Sequence, residues 1–364
     1  MSAAVGTSPV PAASAARRQL PGFVVGLALL AALTLLVAEL DQGIAAFFKD
    51  HDVSKNPFEY PLTAALIGLT ANALLKLTGT YTFVRPAVRT EMYLKIGIVL
   101  LGAKISFGDL VTKGTGGMIQ AVIMVISVFS FTWWLGGKAK LPDTLRAVMS
   151  SAVSICGVSA AIAAAGSVQA KKEEITYVTA LVIVTALPLM VIMPAIGNVI
   201  GLPSDVAGAW FGGNIDTTAA VVGAGTIYGE EAQRVATIVK SSQNVMIGFA
   251  AFALALYFVT VIKGGEGERP SAKMIWQRFP KFVLGFVFVS ILASLEAFTP
   301  AITSEISTAY QWLFTLAFVS IGLDFAPSAL REAGLKPTLV YLAATVFNTV
   351  LALVVASIIF GVVF

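Results

Sequence analysis

Of 364 residues, 57% are hydrophobic and 12% are charged, and the mean hydropathy is +0.86, which excludes a soluble fold, where about a quarter of the residues carry charge. One cysteine, Cys156, and one histidine, His51, exclude an internal disulfide and argue against the usual zinc or haem ligand sets. The formal net charge of +4 follows from loop orientation in a membrane protein, so no nucleic-acid partner is expected.

In chain order, residues 1–20 are rich in Ala, Ser and Pro and end near Arg17 and Arg18, which predicts a disordered cytoplasmic tail. The apolar run from Gly22 to Leu40 is longer than a signal-peptide core and no small-residue cleavage site follows it, so a retained first helix is expected. Further apolar segments run at about 61–78, 91–111, 117–135, 144–168, 174–196, 205–227, 231–262, 279–297, 305–324 and 339–364. At about 20 residues per span, they predict an all-α polytopic membrane protein of about eleven helices, a single transporter domain over 21–364 surrounded by the lipid bilayer. Arg85, Arg89, Lys138, Lys140, Arg146, Lys263, Arg269, Lys273, Arg278, Lys281, Arg331 and Lys336 fall in loops of one side together with the N-terminal arginines. Lys49, Lys55, Lys104, Lys113, Lys171, Lys172 and Arg234 fall on the other. The positive-inside rule then puts the N-terminus in the cytoplasm and the C-terminus outside.

Two self-similarities indicate inverted repeats with broken helices. Leu101-Gly102-Ala103-Lys104-Ile105-Ser106 matches Ile321-Gly322-Leu323-Asp324-Phe325-Ala326, on passes of opposite direction. Ser154-Ile155-Cys156 through Ala160 matches Asn214-Ile215-Asp216 through Ala220, each followed by Glu-Glu-x-x-x-Val. Counting passes places this second pair in the same direction, which suits an inverted repeat only if a segment is re-entrant.

Ser150–Ser159 and Gly212–Thr218 interrupt the apolar pattern with small and polar residues. Irregular backbone at membrane depth requires protein or a water-filled cavity around it, so both stretches are expected to be unwound points that lead into Ala-rich half-helices. The free N–H groups and positive dipole end of such a half-helix suit an anion. Ser154, Cys156, Gly157, Asn214, Thr217 and Thr218 are the candidate substrate-binding residues, with Lys240 as a further one. Ionisable residues within membrane spans are costly and mark function. Asp216 and Asp324 are therefore the candidate ion-coupling residues, and Lys104 and Asp324, at matching places of the first repeat, are expected to form a structural ion pair.

On Ser154-Ile155-Cys156-Gly157 with Lys171-Lys172-Glu173-Glu174, on Ile215 through Gly225, on Ala236-Thr237-Ile238-Val239-Lys240 and on Ala317 through Leu323, the chain resembles the YeiH-type bacterial inner-membrane proteins, a family described as sulfate exporters. The resemblance covers most of the chain from about residue 60. It implies a secondary transporter of the inner membrane, built on inverted repeats and forming a homodimer. The chain departs from the family pattern where Asp216 replaces a His, Thr217 an acid and Ala220 a Gln, and where Gln243 stands in place of an Arg. A lost Arg removes a bidentate oxyanion donor, so these departures argue against sulfate itself.

The expected function is ion-coupled export of a small anion, such as sulfate or a sulfur-containing or organic anion, with Na⁺ or H⁺ on Asp216 as coupling ion and no other cofactor. No Walker lysine loop is present, so ATP coupling is not expected. The alternatives are a cation/proton antiporter using Asp216 and Asp324, a passive channel, and an intramembrane aspartyl hydrolase; the last lacks the expected motifs around either Asp, so no enzymatic activity is expected.

Overall fold

The computed structural model of the protein describes residues 12–50, 60–262, 270–325 and 334–363. The first eleven residues of the expected tail, most of the 263–273 connection and positions 326–333, where the first repeat continues, lie outside them. Every regular element among the described residues is helical. Among the described residues seven helices are long and apolar enough to cross a membrane: α1 (Ala12–Asp50), α2 (Tyr60–Leu77), α5 (Phe107–Lys138), α8 (Lys172–Val199), α11 (Glu230–Tyr257), α14 (Pro300–Leu323) and α15 (Leu335–Ile358). Between them lie the short α3 (Tyr81–Val84), α4 (Thr90–Leu101), α6 (Asp143–Ser151), α7 (Val158–Val168), α9 (Ser204–Asn214), α10 (Thr218–Tyr228), α12 (Lys273–Arg278) and α13 (Phe282–Ser294). Ile126, Phe288 and Val350 are each 60% or more exposed, as expected of side chains that meet lipid rather than water.

The two interrupted stretches are helical hairpins. A half-helix of 11 residues such as α7 or α10 is about 16 Å long at 1.5 Å per residue, half of an apolar bilayer core. At the base of the first hairpin, Thr144 of α6 donates to Glu174 at the start of α8 (2.9 Å), while Ala147 of α6 packs with Ala164 and Val168 of α7. The chain thus returns to the face it entered from. The second hairpin closes likewise: Tyr228, at the end of α10, donates to the Leu202 carbonyl just before α9 (2.5 Å).

The hairpins enter from opposite faces, and α5 supplies the ruler. Its C-terminal end carries Trp133, whose carbonyl accepts from Arg146 of α6 (2.9 Å). Its first turns carry Lys113, which pairs with Asp205 of α9 (3.2 Å). The stretches counted as two full passes are therefore re-entrant, and Lys171 and Lys172 join the Arg146 face instead of the opposite one. The same-direction problem of the second self-similarity disappears with that correction.

The first self-similarity lies on an antiparallel pair. Thr90 at the start of α4 reaches Asp324 at the end of α14 (3.3 Å), and a Cβ added to Gly97 would lie 2.6 Å from Phe314. Antiparallel packing separates equivalent C-terminal residues by a helix length, so the expected Lys104–Asp324 pair does not form. Lys104 pairs instead with Glu230 (3.0 Å).

Candidate functional site at the crossing of two broken helices

Each break has a local cause. In the first, Ala152–Cys156 form a wide π turn that ends on Gly157 at φ 64, ψ −112. A Cβ there would lie 2.5 Å from Val182 Cγ1 and 3.3 Å from the Asp216 carbonyl oxygen, so only glycine lets the two breaks touch. In the second, α9 ends at Asn214, Ile215 is extended, and Thr217 restarts the helix as N-cap, its Oγ1 accepting from Ala220 N (3.2 Å).

Unwinding releases carbonyls that cannot stay unpaired at membrane depth. Three side chains collect them, each taking one from each break. Lys240 donates to Ile155 O (2.6 Å) and Ile215 O (2.8 Å). Gln243 donates to Ser154 O (2.9 Å) and Gly213 O (3.3 Å). Asn348 of α15 donates to Val153 O (3.1 Å) and Asn214 O (3.0 Å). The residues matched in the sequence, Ile155 and Ile215, are thus the two that share the lysine. Asp216, 2% exposed, accepts from the Tyr341 hydroxyl (2.5 Å).

Two cavities adjoin the crossing. The smaller, about 430 Å³, is lined by Glu91, Lys95, Cys156, Ser159, Thr218 and Asn244 and by Arg278 through Phe282. The larger, about 910 Å³, runs from Lys76, Tyr81, Arg85 and Arg89 to Thr217, Thr218 and Ala219 at the start of α10 and to Val158 at the start of α7. Glu91, Ile162 and Thr218 line both. Glu91 stands over the start of α7, where it accepts from Ser159 on both oxygens (3.0 Å each) and from Lys95 (2.5 Å).

Of the residues expected at the site, Cys156, Thr217, Thr218 and Asp324 line a cavity. Ser154, Gly157, Asn214, Asp216 and Lys240 line neither cavity. Asn214 turns away to Thr349 (3.0 Å) and Met193 (2.9 Å), and Lys240 is spent on carbonyls. Asp324 lines the larger cavity beside Tyr81 and Thr90, accepting from Thr90 (3.3 Å) and Tyr81 (3.4 Å). Burial raises its carboxyl above the usual range against the opposing hydrogen bond from Thr90 and the charge of Arg85. The Tyr81 hydroxyl is pushed up to about 12 by burial and then by the Asp324 charge. Asp216 and Asp324 thus have separate partners and do not form a dyad. Glu91, Asn244, Tyr341 and Asn348 were not legible as site residues. The signal for Asn348 was present, since a buried amide in an apolar span obeys the same cost argument as a charge.

Comparison with known proteins places the chain among membrane proteins. The family model described as Conserved hypothetical protein 698 matches residues 25–341. UPF0324 membrane protein RB9488 of Rhodopirellula baltica is 41% identical over 320 residues, 84% of this chain and 58% of its own length. A UPF0324 membrane protein of Nitratidesulfovibrio vulgaris is 40% identical over 83% of this chain and 54% of its own. The chain thus spans little more than half the length of these two relatives, whereas it spans 91% of UPF0324 membrane protein TauZ of Paracoccus denitrificans, at 28% identity. No solved structure gives a significant match. With the model match over most of its length and relatives near 40% identity, the chain belongs to this YeiH-type family of multi-pass membrane proteins.

Proposed function

We propose that the protein is a secondary transporter that moves a small anion across the bacterial inner membrane, driven by an ion carried on Asp216. The observation that carries this reading is the sign of the cavities. Six cations, Lys76, Arg85, Arg89, Lys95, Arg278 and Lys281, face two carboxylates, Glu91 and Asp324, and the first turns of α7 and α10 open onto the same space. Half-helix N-termini offer free N–H donors and a positive dipole end to an anion.

The two hairpins, entering from opposite faces and meeting at their tips, support an inverted-repeat transporter in which substrate binds at the crossing. With Lys171 and Lys172 transferred, the positive-inside rule assigns the Arg146 face to the cytoplasm, the N-terminus with it, and the C-terminus to the outside. Asp216 has a hydroxyl partner and no cation within 4 Å among the described residues, so a proton or sodium ion arriving there would change the net charge of the crossing.

The test has two stages. Purified protein is melted with sulfate, sulfite, sulfonates, carboxylates and monovalent cations at two pH values, and the stabilising solute is identified by linkage. Flux of that solute is then followed in proteoliposomes, where Asp216→Asn should abolish ion-dependent transport while preserving the melting transition. Unchanged coupling removes Asp216 from the mechanism. Flux of Na⁺, K⁺ or H⁺ with no anion requirement identifies a cation/proton antiporter instead.

A further inference from the structure

We propose that the crossing of the two breaks is a monovalent-cation cage whose permanent occupant is the Lys240 ammonium, a positioning group and not a substrate ligand. The C-terminal ends of α6, through its π turn, and of α9 meet here from opposite faces, each bringing unpaired carbonyls and the negative end of a half-helix dipole. The lysine is 1% exposed and lines neither cavity. Its three donors are used up by Ile155 O at 2.6 Å, Ile215 O at 2.8 Å and Gln243 Oε1 at 2.8 Å, which is all an ammonium can do.

Among the described residues no carboxylate lies within 4 Å of it; the ion pairs involve other side chains. At contact distance the ammonium is therefore held by carbonyl dipoles, the ligand set that unwound membrane helices offer to small cations, while the Asp216 carboxylate acts on it through space from beyond 4 Å. The ammonium also fixes the Gln243 amide: with Oε1 held by Lys240, Nε2 faces the remaining carbonyls of Ser154 and Gly213. One charge thus ties both breaks into one body.

An emptied cage should accept a free cation. Lys240→Ala is compared with wild type by melting in ethylammonium, sodium, potassium and tetramethylammonium chloride. Loss of the buried charge should lower the Tm of the variant by about 5 °C or more. Ethylammonium, and to a lesser degree the alkali ions, should raise the Tm of the variant by several degrees more than that of wild type; tetramethylammonium is too large to enter. A Lys240→Ala protein no more responsive than wild type to any of these cations overturns the proposal. Where Lys240→Ala is not recovered folded, Lys240→Gln decides, because its amide reaches the carbonyls but brings no charge. It should melt below wild type and, with its amide filling the cage, gain no more from sodium or potassium than wild type does; a Lys240→Gln protein that melts with wild type overturns the cage.

Discussion

Asp324 shows how one carboxylate is set by its surroundings. It ends α14 with two hydroxyl donors, from Thr90 and Tyr81, and no ion pair within 4 Å among the described residues, and burial raises its carboxyl above the usual value of 3.8. A raised native pKa means that the folded state holds the proton more tightly than the unfolded one. The associated stability is complete at low pH and is lost as pH rises from about 4 through the native value. Asp324→Asn keeps an acceptor for Thr90 and removes the titration, so the Tm of wild type relative to that variant should fall from pH 4 to pH 7. A constant difference would contradict the assignment. Sequence alone marked Asp324 as an ionisable residue inside a span, where the structure places it at the end of α14, and Lys104 as one at a helix end, but not their partners, because the partner depends on which end of the neighbouring helix lies opposite.

The hairpin tips carry the argument at the scale of elements. Gly157 combines a positive φ with a contact that leaves no room for a methyl group. Gly157→Ala should therefore cost about 2 kcal/mol or more from backbone strain and overpacking against Val182, measured as loss of Tm in detergent. Adding Val182→Ala should recover part of that loss, since it relieves the clash but not the φ. The breaks themselves were legible in the runs Ser150–Ser159 and Gly212–Thr218, whose small and polar residues cannot serve lipid contact. Their return to the same face was not legible: a half-helix of 11 residues and half of a straight span have the same composition. The side chains that pin the tips come from α11 and α15, 85 and 195 residues away in the case of Lys240 to Ile155 and Asn348 to Val153.

On the scale of the whole molecule the two faces differ. Both cavities approach the crossing from the Arg89 face. The opposite face is bridged by ion pairs: Lys113 pairs with Asp205 and Glu231, Arg234 with Glu231, and Lys104 with Glu230, joining the base of the second hairpin and the start of α11 to α5 and the turn before it. With Cys156 replaced by Ala, a Thr218→Cys protein should react with an impermeant thiol reagent only from the Arg89 face. Adding Lys113→Ala should allow reaction from the other face as well, because a partly buried pair holds that side closed; side-specific labelling of oriented vesicles distinguishes the two. Labelling confined to the Lys113 face in the single variant would reverse this account.

By itself the sequence determined that this chain lies in a membrane, is helical throughout its spans and breaks at two places, because hydropathy, Gly and polar clusters are local properties that the bilayer reads segment by segment. It also matched Ile155 with Ile215, the two residues whose carbonyls share Lys240. The tertiary structure decided what pairs with what. It turned two supposed passes into hairpins, parted Lys104 from Asp324, and spent Lys240 on carbonyls, because unpaired backbone at membrane depth claims the nearest donor in space, and nearness in space is set by packing rather than by position along the chain.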